Sequence, residues 1–133
     1  MKNDSRIAWH YTSGERAAEI LRAGVLKAAE GELGSTQPAL LWFSLRQHWD
    51  PIAHGSTPSD GAWRFGVAAE ELLPWRQLAA AMDRDAARAL ERAGRKAGSD
   101  PALWLGSRDP VELDLCRIEH LHGDHWCSAD HGH

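Results

Sequence analysis

The chain has 133 residues, 43% of them hydrophobic and 26% charged, a make-up that fits one globular domain with enough material for its own core. A net charge of -4 argues against gripping nucleic acid through bulk charge. No apolar run approaches the ~20 residues of a membrane helix, and the N-terminal residues lack a signal-peptide layout, so no membrane contact and a cytoplasmic location are expected.

Ile7 to Tyr11 alternates and is bulky, with Ile7, Trp9 and Tyr11 on one side and Ala8 and His10 on the other, which predicts a strand. Thr12 and Glu15 have capping-box spacing, Ala17, Ile20 and Leu21 recur at helical spacing, and Gly24 stands where a helix-ending glycine belongs. The expectation is strand, sharp turn, short helix with Thr12 as its N-cap, then a brief extended piece over Val25 to Ala28. Gly31 to Pro38 reads as loop, and Leu40 to Leu45 as a strand covered on both faces. Gln47 to Gly61 is loop-like, and Trp63 to Ala69 is another strand.

From about Leu73 to Ala97 the pattern is helical, as one helix or two, with Pro74 in the first turn and Gly98 at the end. Arg84, Arg88, Arg92, Arg95 and Lys96 are interspersed with Asp83, Asp85 and Glu91, the pattern of a solvated helix face. Leu103 to Leu105 suggests a short strand. Val111 to Leu121 is the last long strand candidate, followed by a turn at Gly123-Asp124 and a polar tail, disordered from about residue 128. These elements predict a single α+β domain over 1–133, a small mixed or antiparallel split sheet with helices.

The sequence contains no GxxxxGK[ST], GxGxxG, GxSxG or HExxH, which weakens nucleoside triphosphatase, dinucleotide-fold, α/β-hydrolase and zinc-protease readings. What it does contain is His10-Tyr11-Thr12 closing the first strand, a capped helix ending in Ile20-Leu21 and Gly24-Val25, and a later strand ending in Phe43-Ser44. Over residues 7–53 this resembles the N-terminal half of ADP-ribosyltransferase-like folds, both bacterial toxin-type members and RNA 2′-phosphotransferases. The resemblance implies NAD, as substrate, or a related nucleotide small molecule, with His10 on the ribose and Ser44 near the nicotinamide end. Tyr11, Thr12 and Trp42 are implied beside them, with Trp49 or Trp63 as stacking alternatives. A late-strand glutamate is implied as the catalytic carboxylate. Glu119 is preferred because it shares strand parity with Leu113, Leu115 and Leu121; Glu112, Glu70 and Glu71 remain alternatives. The acceptor is left open, as is an inactive member lacking that carboxylate.

Such residue types suit the chemistry. A carboxylate stabilises the positive charge that builds on the ribose as its glycosidic bond breaks, and a neutral imidazole can donate to a ribose hydroxyl. His48, Trp49 and Asp50 would border the pocket, although Asp50 before Pro51 is first of all turn chemistry.

Cys116 and Cys127 belong to no CxxC and read as reduced thiols. With His120, His122, Asp124, His125, His131 and His133 they form a donor-rich C-terminus, but the spacing matches no closed zinc site, so no metal is expected. The alternative from another class is a non-enzymatic interaction domain of the phage or toxin–antitoxin kind, in which some of the seven tryptophans make a partner-binding surface.

Overall fold

The computed structural model describes residues 6–27, 40–51 and 58–129. In chain order the elements are β1 (Ile7–Ser13), α1 (Gly14–Ala23), β2 (Val25–Leu26), β3 (Leu41–Ser44), β4 (Ala62–Ala68) and β5 (Leu73–Pro74). They continue with α2 (Trp75–Ala80), α3 (Arg84–Lys96), β6 (Trp104–Ser107), β7 (Val111–Glu112), β8 (Arg117–His122) and β9 (His125–Ser128). Seven strands form one sheet in the order β5-β6-β3-β1-β4-β8-β9, while β2 and β7 make a two-stranded ribbon. Every pairing is antiparallel. The domain is thus α+β with few helices, and where the sequence left a mixed sheet open, the described strands are all antiparallel.

Side chains alternate between the faces of a strand, and directly paired residues share a face, so the register sorts the whole sheet. Ala8, Phe43, Phe65, Val67 and Leu105 point to one face and pack with Ala17 and Ile20 of α1. On the opposite face, at the β3–β6 end, Leu40, Trp75, Leu78, Ala87 and Trp104 make a second core beneath α2 and α3. Gly94 of α3 lets that helix approach, since a Cβ there would lie 2.2 Å from Trp104 Cζ2.

The start of α1 differs from expectation. Ser13, not Thr12, is the N-cap, its Oγ accepting from Arg16 N at 3.2 Å. Thr12 stays in the β1–β4 ladder opposite Trp63, with its side chain buried, so it is unavailable to cap. A carboxylate from a distant loop completes the helix start: Asp60 Oδ2 accepts from Glu15 N at 2.9 Å. Gly14 is required beside it, because a Cβ would fall 2.5 Å from Asp60 O. At the other end Gly24 has φ 78° and donates to Ile20 O, the expected left-handed stop.

The region from Leu73 to Ala97 divides. Leu73 and Pro74 pair with β6 as β5, and two helices follow, the second capped by Asp83 Oδ2 accepting from Ala86 N at 3.1 Å. Arg84, Arg88, Arg92, Arg95 and Lys96 are exposed along α3, as a solvated face requires. The expected strand from Val111 to Leu121 is broken: β7 turns at Leu113–Leu115 through a single 3₁₀ turn before β8 begins. Parity therefore does not carry from Leu113 and Leu115 to Glu119, and Leu115 is 72% exposed. Beyond the Gly123 turn the chain returns as β9, which runs to Ser128 where a polar tail was expected. The Gly31–Pro38 loop, the remainder of the Gln47–Gly61 loop over 52–57, and the end of the tail over 130–133 lie outside the described residues.

Candidate functional site

A row of three side chains crosses β1, β4 and β8 on the α2–α3 face of the sheet. Tyr11 pairs with Arg64, and Arg64 with Glu119. Arg64 donates from Nε and Nη2 to Glu119 Oε1, at 2.9 and 2.6 Å, and from Nη1 to the Gln47 carbonyl at 2.6 Å. The Tyr11 hydroxyl accepts from Arg64 Nη1 at 3.4 Å and donates to the Arg46 carbonyl. Both members of the ion pair are buried, Arg64 to 7% and Glu119 to 9% exposure.

Indole rings flank the guanidinium. Its Cζ lies 3.8 Å from the Trp9 ring centroid and 4.3 Å from that of Trp126. A desolvated cation–π contact of this kind stabilises by ~2 kcal/mol, so the rings offset part of the cost of burying the charge. Gly66 opens the space, because a Cβ there would sit 2.6 Å from Trp9 Cζ3. Gln47, from the loop after β3, accepts from Trp9 Nε1 at 3.0 Å and so ties that loop to the platform. Burial pushes the Tyr11 hydroxyl up to about 12, against the opposing hydrogen bond and charge of Arg64.

The residues expected to form one site are divided by the sheet. Tyr11, Trp42, Ser44 and Glu119 lie on the α2–α3 face, since Trp9 pairs with Ser44 and Tyr11 with Arg64, whose other partner is Glu119. His10 and Thr12 lie on the α1 face, His10 in a row with Phe65 and Ile118. The register thus separates His10 from Glu119, and both from a common cleft. Of the expected set, Tyr11 and Glu119 do meet, but through Arg64. The sequence signal for Arg64 was available: it is the one charge inside the apolar strand Trp63-Arg64-Phe65-Gly66-Val67.

Ser44 is buried, and its Oγ accepts from Arg46 N at 3.1 Å, a local turn contact. Trp42 packs against Trp75 and Trp104 at ring distances of 5.6 and 5.8 Å, inside the second core. Asp50 is fully buried and accepts from Ser99 Oγ at 2.6 Å, while Ser99 Oγ itself accepts from Trp104 Nε1 at 2.8 Å. That chain anchors the loop after β3 to the end of α3. Trp49 packs edge-on against Tyr11 at 5.7 Å, and Trp63 lies 5.2 Å from the His120 ring. Glu70, Glu71 and Glu112 are exposed. His48 is exposed as well.

His10 occupies a different kind of place. Although β1 and β3 are neighbours, they share one residue pair, Trp9 with Ser44. Past it the Trp42 carbonyl meets the His10 imidazole, with Nδ1 2.7 Å from the oxygen. A carbonyl only accepts, so the neutral ring carries its proton on Nδ1 and Nε2 is the accepting nitrogen. The expected donation to a ribose hydroxyl is therefore reversed for the neutral ring. Phe43 supports the imidazole edge-on at 5.9 Å.

None of the seven tryptophans is exposed: Trp9, Trp75 and Trp104 are buried and the other four half-buried. A tryptophan-rich partner surface would have only those four half-buried rings to draw on. His120 and His122 share a strand face at a ring distance of 6.2 Å. Among the described residues, no group of three or more His, Cys, Asp or Glu side chains is placed to hold a metal ion. No helix among them is long and apolar enough to cross a membrane. Comparison with protein-family models, curated proteins and solved structures finds no match for this chain.

Proposed function

We propose that the chain binds a nucleotide of the NAD or ADP-ribose class against His10, where β1 and β3 part. The observation carrying this reading is the imidazole held by the Trp42 carbonyl, 2.7 Å from Nδ1. The Trp42 carbonyl fixes the neutral ring in the tautomer whose accepting nitrogen is Nε2, the kind of nitrogen a ribose hydroxyl can donate to, and Phe43 packs edge-on against it. The order of features along β1, α1 and β3, with His10-Tyr11-Thr12 and then Phe43-Ser44, supports an ADP-ribosyltransferase-like reading of the fold.

The reading is of binding, not transfer by His10 with Glu119. The two lie on opposite faces, and the Glu119 carboxylate is shared by Arg64 and Arg117, at 2.6 and 3.4 Å. A carboxylate neutralised by two guanidiniums is a poor stabiliser of an oxocarbenium-like ribose. Calorimetric titration with NAD and with ADP-ribose, with nicotinamide release followed in parallel, is the test. Saturable binding that His10→Ala weakens about tenfold, ~1.4 kcal/mol, without nicotinamide release is the expected result. No binding of either nucleotide at millimolar concentration refutes the reading. Nicotinamide release abolished by Glu119→Gln restores the transferase.

A further inference from the structure

Two clefts open where the sheet ends beside the Arg64–Glu119 pair. The first, of about 500 Å³, is bordered by Arg6, Trp9, Gln47, Arg64, Arg117 and Glu119. The second, of about 430 Å³, is bordered mainly by Leu72, Pro74, Ala102, Trp104 and Leu105, with Glu70 as its carboxylate. Arg6 and Leu45 line both.

The first cleft has a charge surplus. Arg64 spends Nε and Nη2 on Glu119 and Nη1 on the Gln47 carbonyl, so its charge is matched inside the wall. Arg117 meets the same glutamate at 3.4 Å from Oε2 and lies 5.8 Å from the Trp9 ring centroid, and its side chain is 63% exposed. Arg6 is exposed as well. Three arginines thus face one glutamate at the cleft, and the unmatched charge sits on the two that reach solvent. Trp9 cannot stack a ligand, because the Arg64 guanidinium covers its ring at 3.8 Å. The first cleft therefore holds the charge surplus, while apolar surface runs through both, from Ile7, Leu45 and Leu103 in the first to Leu72, Pro74 and Leu105 in the second.

We infer that this end of the molecule binds an amphiphilic carboxylate, its anionic head between Arg6 and Arg117 and its apolar body along Leu45 towards Leu72 and Pro74. Charge complementarity fixes the polarity of the ligand. Arginine forks match a carboxylate, and Glu70 in the second cleft repels a second anionic group there. The clefts lie at the Arg6–Ile7 end of β1 and are not lined by His10.

Octanoate, 1-octanol and acetate are the probes, and the indole N–H resonances of Trp9 and Trp104 are the readout, since one tryptophan lines each cleft. Octanoate should shift both signals saturably, and acetate and octanol should each bind about tenfold more weakly or not at all. Arg6→Gln and Arg117→Gln, both at exposed positions and so expected to fold, should each weaken octanoate about tenfold, ~1.4 kcal/mol. The inference is overturned if octanoate gives no saturable shift at millimolar concentration. It is equally overturned if octanol binds as well as octanoate, or if the double variant binds octanoate like the wild type.

Discussion

The Arg64–Glu119 pair places two opposite charges in the interior, at 7% and 9% exposure. Removing one partner of a buried ion pair leaves an uncompensated charge, typically at 3–5 kcal/mol. Glu119→Ala should therefore lower the unfolding free energy by about 3 kcal/mol, whereas Arg64→Met combined with Glu119→Leu should recover most of that loss. Urea denaturation followed by tryptophan fluorescence checks both, and equal instability of the single and double variants would contradict the pairing. Tyr11 offers a cleaner probe, because it is the only tyrosine. Its tyrosinate absorbance should titrate at about 12 rather than at the ordinary 10. Below pH 10 the hydroxyl is neutral in both folded and unfolded chains, so its contribution is complete there. As pH rises from there towards 12 the unfolded chain ionises first and that contribution is lost, a slope that Tyr11→Phe should remove.

Among the elements, α3 sets two preferences against each other. Glycine inside a helix ordinarily costs about 1 kcal/mol relative to alanine. Gly94→Ala should nevertheless destabilise, by roughly 1–3 kcal/mol, because its methyl meets the Trp104 ring at 2.2 Å in a packed core. Thermal unfolding of the variant decides between propensity and packing. The turn between β7 and β8 yields a further prediction. Burial pushes the Cys116 thiol up to about 11, and Cys127 on β9 is exposed. Alkylation near pH 8 should modify Cys127 first and Cys116 only slowly, as peptide mapping would show. Element boundaries were read best where a local signal ends them, as Gly24 ends α1. They were read worst where tertiary contacts decide: β5 exists because Leu73 and Pro74 meet β6, and Thr12 leaves the capping role to Ser13 because its side chain is buried.

For the whole molecule, the sheet order joins strands that are far apart in sequence. β1 pairs with β4 across about fifty to sixty residues, and β3 with β6 across sixty or more. Closing those loops must precede the gain from the ladders, so folding should relax on the millisecond-to-second scale rather than in microseconds. Stopped-flow tryptophan fluorescence measures this directly. Composition, strand periodicity, the helix stop at Gly24 and the solvated basic face of α3 are local properties, and the sequence by itself determined them. Which side chains meet was not local. A one-residue difference in position along β1 sends Tyr11 to Arg64 and Glu119 but His10 to the opposite face, beside Phe65 and the Trp42 carbonyl. That division depends on the register among β1, β3, β4 and β8, which is set by long-range pairing. The candidate residues were therefore legible one at a time, while their separation into two places was decided only by the tertiary structure, because alternation across a sheet acquires meaning once the partners of each strand are fixed.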